Sequence, residues 1–270
     1  DPTSWEVWNN LGIAYHERNR DDEAIACYRR ALELKADFHH ALNNLGNALA
    51  SKGDAAGAID CYRKVIEAFP EQPDAYSNLG VALYERGEVE EAQACYRRAL
   101  SLDPGHADAL GNLGYLLQEQ GRLDEAIACY AAGFEANPKA ARVGYNLGLG
   151  LIVRGQFERG WRLHELRFET VPPIALARRM PIPKFTDSDW GTPHRIAIWV
   201  EQGVGDQLLY STLLPALAAR GQSFVLEADR RLMPAFRRAH PDWEVIPAGE
   251  PSPAFASCTR HIAVGSLPLL

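Results

Sequence analysis

The chain has 270 residues, 47% of them hydrophobic and 23% charged, with a net charge of −7. This is the composition of a folded protein long enough for two structural units. An acidic balance with no basic stripe excludes the phosphate-binding surface that nucleic acids need. No apolar run approaches the roughly 18 residues that span a bilayer, and no signal peptide opens the chain, so the expected location is cytoplasmic.

From residue 5 the sequence repeats itself every 34 residues. The first copy sets a pattern of large and small positions with Trp8, Leu11, Gly12, Tyr15, Ala24, Tyr28 and Ala31. Leu45-Gly46, Ala58 and Tyr62 repeat it, as do Leu79-Gly80, Ala92 and Tyr96, and then Leu113-Gly114, Ala126 and Tyr130. A fixed period of this length means a stacked array. Each copy reads as two short antiparallel helices. Tyr76, Leu79 and Leu83 recur at spacings of three and four on the first helix, and Gly80 and Ala92 are small where the helix backbones approach. Gly87 breaks the chain between the helices, and Pro70, Pro104 and Pro138 close the copies because proline cannot extend a helix. One copy cannot bury its own apolar face, so the copies at 5–38, 39–72, 73–106, 107–140 and 141–168 are expected to stack into a right-handed superhelix with a concave inner wall. This spacing resembles the tetratricopeptide (TPR) family, which implies an α solenoid.

Cys27, Cys61, Cys95 and Cys129 sit 34 residues apart, beside the repeated tyrosines. Stacked helix pairs lie roughly 10 Å apart, too far for the Cα separation of about 7 Å that a disulfide allows. Zinc needs its ligands around one point, so no metal is expected either. These are small packing residues, and Cys258 stands alone without a role. Basic pairs such as Arg29-Arg30 and Arg97-Arg98 recur with the repeat and read as a solvated outer face.

The fifth copy departs from the pattern. Tyr145-Asn146-Leu147-Gly148 with Leu151 is legible as a first helix, but the second reads Phe157-Glu158-Arg159-Gly160-Trp161, with His164 in the place of tyrosine. Residues 169–194 then form a proline-rich linker with Pro172, Pro173, Pro181, Pro183 and Pro193. Strands are expected at 195–200, 223–227, 243–246 and 261–264, with helices at 207–220 and 230–240. Alternation of this kind predicts a parallel sheet covered on both faces, a Rossmann-like α/β domain over 195–270. Trp161 and Trp190 are expected at the seam between solenoid and sheet.

Two candidate sites follow. Asn10, Asn44, Asn78, Asn112 and Asn146 hold the sixth position of all five copies, always just before Leu-Gly. On the helical wheel that position points away from the packed large residues, so the amides are expected on the concave wall. A carboxamide both donates and accepts, and can hold the backbone of an extended peptide whatever its sequence. The plainer readings are a harmless duplicated residue, or amide bonds between adjacent helices. A clamp for a C-terminal carboxylate is disfavoured, because Asn9, Asn43 and Asn47 share this wall and no lysine cluster does.

The second candidate is Glu201-Gln202-Gly203-Val204-Gly205-Asp206-Gln207, a glycine-rich turn from strand to helix at the edge where open α/β sheets bind ligands. It is neither a Walker A nor a dinucleotide motif, since position 208 is leucine and no Gly-Lys-Ser/Thr follows. Asp206 reads as the cap of the next helix, as a base for a hydroxyl, or as both. His194, His240 and His261 lie near element ends and read as structural.

The asparagine position is similar to that of the TPR superhelix of protein O-GlcNAc transferases, where the corresponding asparagine contacts bound polypeptide. Gly160-Trp161, Glu165-x-Arg167, Trp190-Gly191, the turn at 201–206, Leu226-Glu227 and Ser266-Leu267-Pro268 together resemble bacterial TPR proteins with a glycosyltransferase-like C-terminal region. That region is similar to the N-terminal half of GT-B enzymes such as heptosyltransferases. The resemblance implies sugar transfer from a nucleotide-sugar to a hydroxyl, with Asp206 as base and Gln202, Gly203 and Gly205 shaping the cleft. GT-B enzymes hold the nucleotide-sugar in a second domain, so this stretch alone is expected to be inactive and to need no cofactor. The alternative is a non-catalytic TPR scaffold for protein–protein interaction.

Overall fold

The computed structural model describes residues 4–170, 173–175, 177–201, 203–249 and 252–270. Pro172 of the linker and Gln202 of the glycine turn lie outside the described residues. The chain divides into two compact units, one ending at Gly150 and the other beginning at Leu151.

The first unit is built from helix pairs: α1 Trp5–His16 with α2 Asp21–Leu34, α3 His39–Ser51 with α4 Ala55–Ala68, α5 Pro73–Glu85 with α6 Val89–Leu102, and α7 Ala107–Glu119 with α8 Leu123–Ala136. The next first helix, α9 Ala141–Val153, contains the division between the units. Each first helix packs on its own partner, and each second helix on the next copy. The first helices also touch one another in sequence, α1 to α3 to α5 to α7.

The packing explains the repeated Leu-Gly. A Cβ on Gly12, Gly46, Gly80 or Gly114 would lie 2.5, 2.6, 2.5 or 2.7 Å from a ring carbon of Tyr28, Tyr62, Tyr96 or Tyr130. Those four rings are almost wholly buried, and Ala24, Ala58, Ala92 and Ala126 beside them have no exposure at all. Glycine is therefore a seat for the tyrosine of the partner helix. Between the helices Gly53, Gly87, Gly121 and Gly155 take φ of 75–83°, the left-handed region that glycine enters without strain. In the first copy Asn19 does the same at φ 56°. Phe69, Asp103 and Asn137 leave helical geometry just before the closing prolines, whose ring disfavours the α region in the preceding residue. The repeated cysteines are free thiols, and burial pushes all four up, Cys95 to about 11.

The second unit holds α10 Phe157–His164, a 3-10 turn at Glu165–Phe168, β1 Arg195–Trp199, α11 Val204–Ser211, α12 Leu214–Ala219, β2 Ser223–Ala228, α13 Met233–Ala239, β3 Glu244–Pro247 and β4 Arg260–Ala263, closing with a 3-10 turn at Val264–Leu269. The strands form a parallel sheet in the order β3-β2-β1-β4, with Ile196 opposite Phe224 on one side and Arg260 on the other. Ile196, Ile198, Leu226 and Ile262 face Tyr210, Leu214, Leu217, Phe236 and Leu267, so α11, α12, α13 and the last turn cover one face.

The other face differs from expectation. Ala197 and Val225 are covered there by Met180 and Ile182 from an irregular segment and by Phe255 from a short 3-10 turn at Pro253–Ser257, with no α-helix among them. The proline-rich stretch is thus part of the sheet unit: Phe185 and Pro183 exchange backbone bonds with His261, placing Lys184 in a parallel bridge beside β4. A single helix over 207–220 is also corrected to two. The hydroxyls of Ser211 and Thr212 bond back to the carbonyls of Leu208 and Leu209, and Pro215 starts α12. Trp161 and Trp190 belong to the sheet unit's own core, edge-on to Tyr210 at 5.9 Å and to Phe185 at 5.2 Å.

Candidate functional site

The asparagine row lies where successive first helices meet. Asn10 is exposed, and Asn44, Asn78, Asn112 and Asn146 are half-buried. Leu45, Leu79, Leu113 and Leu147, one residue later, are buried in the array, so adjacent positions on one helix divide between core and surface. Two amides bond across the array: Asn44 Nδ2 donates to Asn9 Oδ1 at 3.1 Å, and Asn78 Nδ2 to Asn43 Oδ1 at 3.1 Å. Bonding between adjacent helices therefore holds at these two positions. It does not continue, because Ser77 and Gly111 replace the accepting asparagine in the next copies. The Tyr130 hydroxyl donates to Gln118 Oε1 at 3.3 Å, with Asn146 beside it. Asn10 and Asn112 have no side-chain partner among the described residues. A carboxamide has two N–H donors and an accepting oxygen, so one inter-helix bond leaves Asn44 and Asn78 with capacity to spare.

Fifth-position Asn9 and Asn43 are thus acceptors that brace the row, a role that residue type alone did not reveal. Beside the row, Tyr62 donates its hydroxyl to Asn47 Oδ1 at 2.7 Å, and Tyr84 and Tyr115 meet edge-on at 5.9 Å.

In the second unit, Gly203 is the N-cap of α11 and, having no side chain, gives it no capping bond. Asp206 stands in the first turn, where a carboxylate suits the positive end of the helix. It is not the cap residue that the sequence suggested. A Cβ on Gly205 would meet nothing within 4 Å, and one on Gly203 would meet only Asp206 Oδ2 at 3.8 Å.

The crevice beyond the carboxyl ends of β1 and β4, where the strand order reverses and where open parallel sheets place their ligands, is occupied by a side chain of this chain. Arg167, with no exposure, donates through Nη2 to Glu201 Oε1 at 2.8 Å and to Ser266 Oγ at 2.9 Å. Its Nη1 donates to Glu165 Oε1 at 2.6 Å and to the His164 carbonyl at 3.2 Å, and lies 3.1 Å from His164 Nδ1. Ser266 donates its hydroxyl to Glu165 Oε1 at 2.6 Å, and the Gly265 N–H to Glu201 Oε1 at 3.2 Å. Arg167 Nε and Glu201 Oε2 are buried without a partner among the described residues. The motif residues Glu165, Arg167, Glu201 and Ser266 were each legible in the sequence, but their convergence was not. On the neighbouring strand Glu227 takes both oxygens to Arg178 Nη1 at 2.8 and 3.0 Å and accepts the Val200 N–H at 3.1 Å, so Leu226-Glu227 is structural.

The two carboxylates around Arg167 shift in opposite directions. Burial pushes Glu201 up, outweighing the guanidinium and the Gly265 N–H, which pull it down. Burial also opposes ionisation of Glu165, but Lys184, Ser266 and Arg167 together hold it below its usual range. His164 falls from 6.5 to about 4, chiefly by burial and then by the positive charge of Arg167. Below pH 6.5 the unfolded chain protonates at His164 while the folded unit does so only near pH 4, so the stabilisation present above pH 6.5 is lost as pH falls through that window. Acidification is expected to lower the stability of the sheet unit by up to about 3 kcal/mol, with Glu201 opposing part of it. Urea unfolding across the window reads this directly. His164→Gln, which still accepts from Arg167 but does not titrate, should flatten the dependence.

Helix pairs with a tyrosine seated on a glycine, a left-handed turn residue between the helices and proline after the second helix define a TPR protein. Residues 2–162 match the family described as the Cilia and flagella-associated protein 70 C-terminal domain, a TPR domain, and the chain belongs to that family. No curated protein matches the chain. Among solved structures, a thermophilic TPR protein of Thermus thermophilus shares 19% identity at a TM-score of 0.55, over 63% of this chain and 92% of that one. The pilF protein of Pseudomonas aeruginosa shares 17% at a TM-score of 0.58, over 88% and 92%. YrrB, described as a TPR protein with an unusual peptide-binding site, shares 27% at a TM-score of 0.43, over 61% and 85%. No helix among the described residues is long and apolar enough to cross a membrane.

Proposed function

We propose that the helical array is an interaction scaffold that holds an extended polypeptide along its first helices. The observation that carries this reading is the asparagine row: five carboxamides in one register, all at least partly exposed, the first four of them on helices that touch in sequence. Copies about 10 Å apart match the rise of about three extended residues, so a strand-like peptide offers backbone groups to each copy in turn. The test uses a fluorescent, neutral peptide of about twelve residues of serine, alanine and glutamine, long enough for four copies. Asn10→Ala with Asn112→Ala, positions that brace no neighbour, is expected to weaken binding about tenfold with the melting temperature unchanged. Equal affinity in variant and wild type would remove the row from the account.

A second reading assigns residues 195–270 to sugar transfer from a nucleotide-sugar to a hydroxyl, with Asp206 as base. In its favour stands a half-exposed carboxylate beside two glycines without crowding, at the carboxyl edge of a parallel sheet. Against it stands Arg167, which fills the adjacent crevice. In the full-length protein Asp206→Ala should abolish nucleotide-sugar consumption on this reading, whereas the scaffold reading has no such activity to lose.

A further inference from the structure

In the first four copies the charges around the asparagine row are of one sign. The second, sixth, ninth and thirteenth positions of a copy lie within about 60° of one another on the helix wheel, so they form one stripe across each first helix. In the first copy that stripe reads Glu6, Asn10, Ile13, Glu17; in the third, Asp74, Asn78, Val81, Glu85; in the fourth, Asp108, Asn112, Tyr115, Glu119. The second copy is neutral there, with His40, Asn44, Asn47 and Ser51. The fifth, with Arg142, Asn146, Leu149 and Val153 on the same positions, carries no carboxylate there and lies outside the acidic stretch. α1, α3, α5 and α7 contain no lysine or arginine.

Basic residues fall elsewhere. Arg29, Arg30, Arg63, Lys64, Arg97 and Arg98 are all on second helices. Just past the first helices, Lys52 pairs with Asp22 and Arg86 with Glu88, while Arg18 stays unpaired among the described residues. Asp74 is held by His106 at 3.0 Å. The carboxylates of Glu17, Glu85, Asp108 and Glu119 make no hydrogen bond or ion pair among the described residues, and all four residues are exposed. Between the amides and the thirteenth-position carboxylates stand Ile13 at 36% exposure, Val81 half-buried, and Tyr115 at 42%.

An amide, then an exposed apolar or aromatic side chain, then a free carboxylate matches a lysine that extends from a bound backbone: its methylene stem covers the apolar side chain and its ammonium reaches the carboxylate. We infer that the polypeptide held by the asparagine row is a basic, lysine-bearing segment, with its charges facing the carboxylates of the first helices. The inference rests on the peptide-binding reading and adds the chemistry of the ligand.

Three fluorescent peptides on one serine–alanine–glutamine scaffold test it: neutral, with lysine at every third position, and with glutamate at every third position. At low salt the lysine peptide should bind about tenfold more tightly than the neutral one, and the glutamate peptide more weakly. Glu85→Gln with Glu119→Gln should abolish the lysine advantage, read as the ratio of the lysine and neutral peptides' affinities for the same variant. Glu67→Gln with Glu90→Gln, which removes the same net charge from second helices, should preserve it. Equal affinity for lysine and neutral peptides overturns the inference and leaves the scaffold reading standing. A lysine advantage that survives the first pair of substitutions, or falls equally with the second, overturns it as an effect of net charge. Failure of all three peptides to bind defeats the peptide reading itself, and this inference with it.

Discussion

Arg167→Ala is expected to lower the stability of the sheet unit by about 3–5 kcal/mol, the loss typical of breaking a buried ion pair from one side. The guanidinium has no exposure and supplies donors to Glu201, Ser266 and Glu165 at once. Its removal leaves the Glu201 side chain at 1% exposure with one carboxylate oxygen already orphaned and the other reduced to the Gly265 N–H. The cost lies in the abandoned charge more than in the attraction lost. A variant that removes both partners, Arg167→Met with Glu201→Gln, should therefore recover most of the stability despite carrying two changes. Urea unfolding followed by tryptophan emission gives both values. A loss below about 1 kcal/mol for Arg167→Ala would show that water reaches the crevice and that the network is peripheral.

Tyr96→Ala is expected to cost about 3–5 kcal/mol, as for other large aromatic truncations in a core. Its coupling to Gly80 is the sharper result. On its own Gly80→Ala trades about 1 kcal/mol of helix propensity against a Cβ placed 2.5 Å from Tyr96 Cε1, and the overlap in a packed core wins, by about 1–3 kcal/mol. With Tyr96→Ala already present the obstacle is gone, and Gly80→Ala should become stabilising by up to about 1 kcal/mol. A double-mutant cycle by chemical unfolding measures this reversal of sign. Additive effects would mean that glycine is kept for some reason other than the ring. The same argument applies at Gly12, Gly46 and Gly114, each under its own tyrosine.

These two sites also mark what the sequence could reveal. That position 80 must be small was legible because a packing constraint repeated in every copy leaves a periodic trace, but the sequence pointed to an approach of helix backbones, and the structure shows the Tyr96 ring there instead. The left-handed turns showed as glycine at 53, 87, 121 and 155, although Asn19 satisfies the same geometry with another residue. The second unit has no repeat to average over. A helical period over 207–220 does not show that two hydroxyls and a proline divide the helix. Hydropathy likewise does not show that Met180 and Ile182, in a proline-rich stretch, cover a sheet face where a helix was expected. Arg167, Glu201 and Ser266 meet across separations of 34 and 99 residues, and such convergence leaves no local pattern. The asparagine row was visible at once, but its bracing by Asn9 and Asn43 depends on the stagger between neighbouring copies, which spacing alone does not fix.

The side-chain amide resonances of asparagine, followed by NMR during titration with the lysine peptide, test the central claim most directly. Binding along the first helices predicts that the NH2 signals of Asn10, Asn44, Asn78 and Asn112 shift together and saturate at one affinity, while Asn137, between α8 and α9, stays in place. A peptide that binds yet leaves those four signals unmoved would contradict the account.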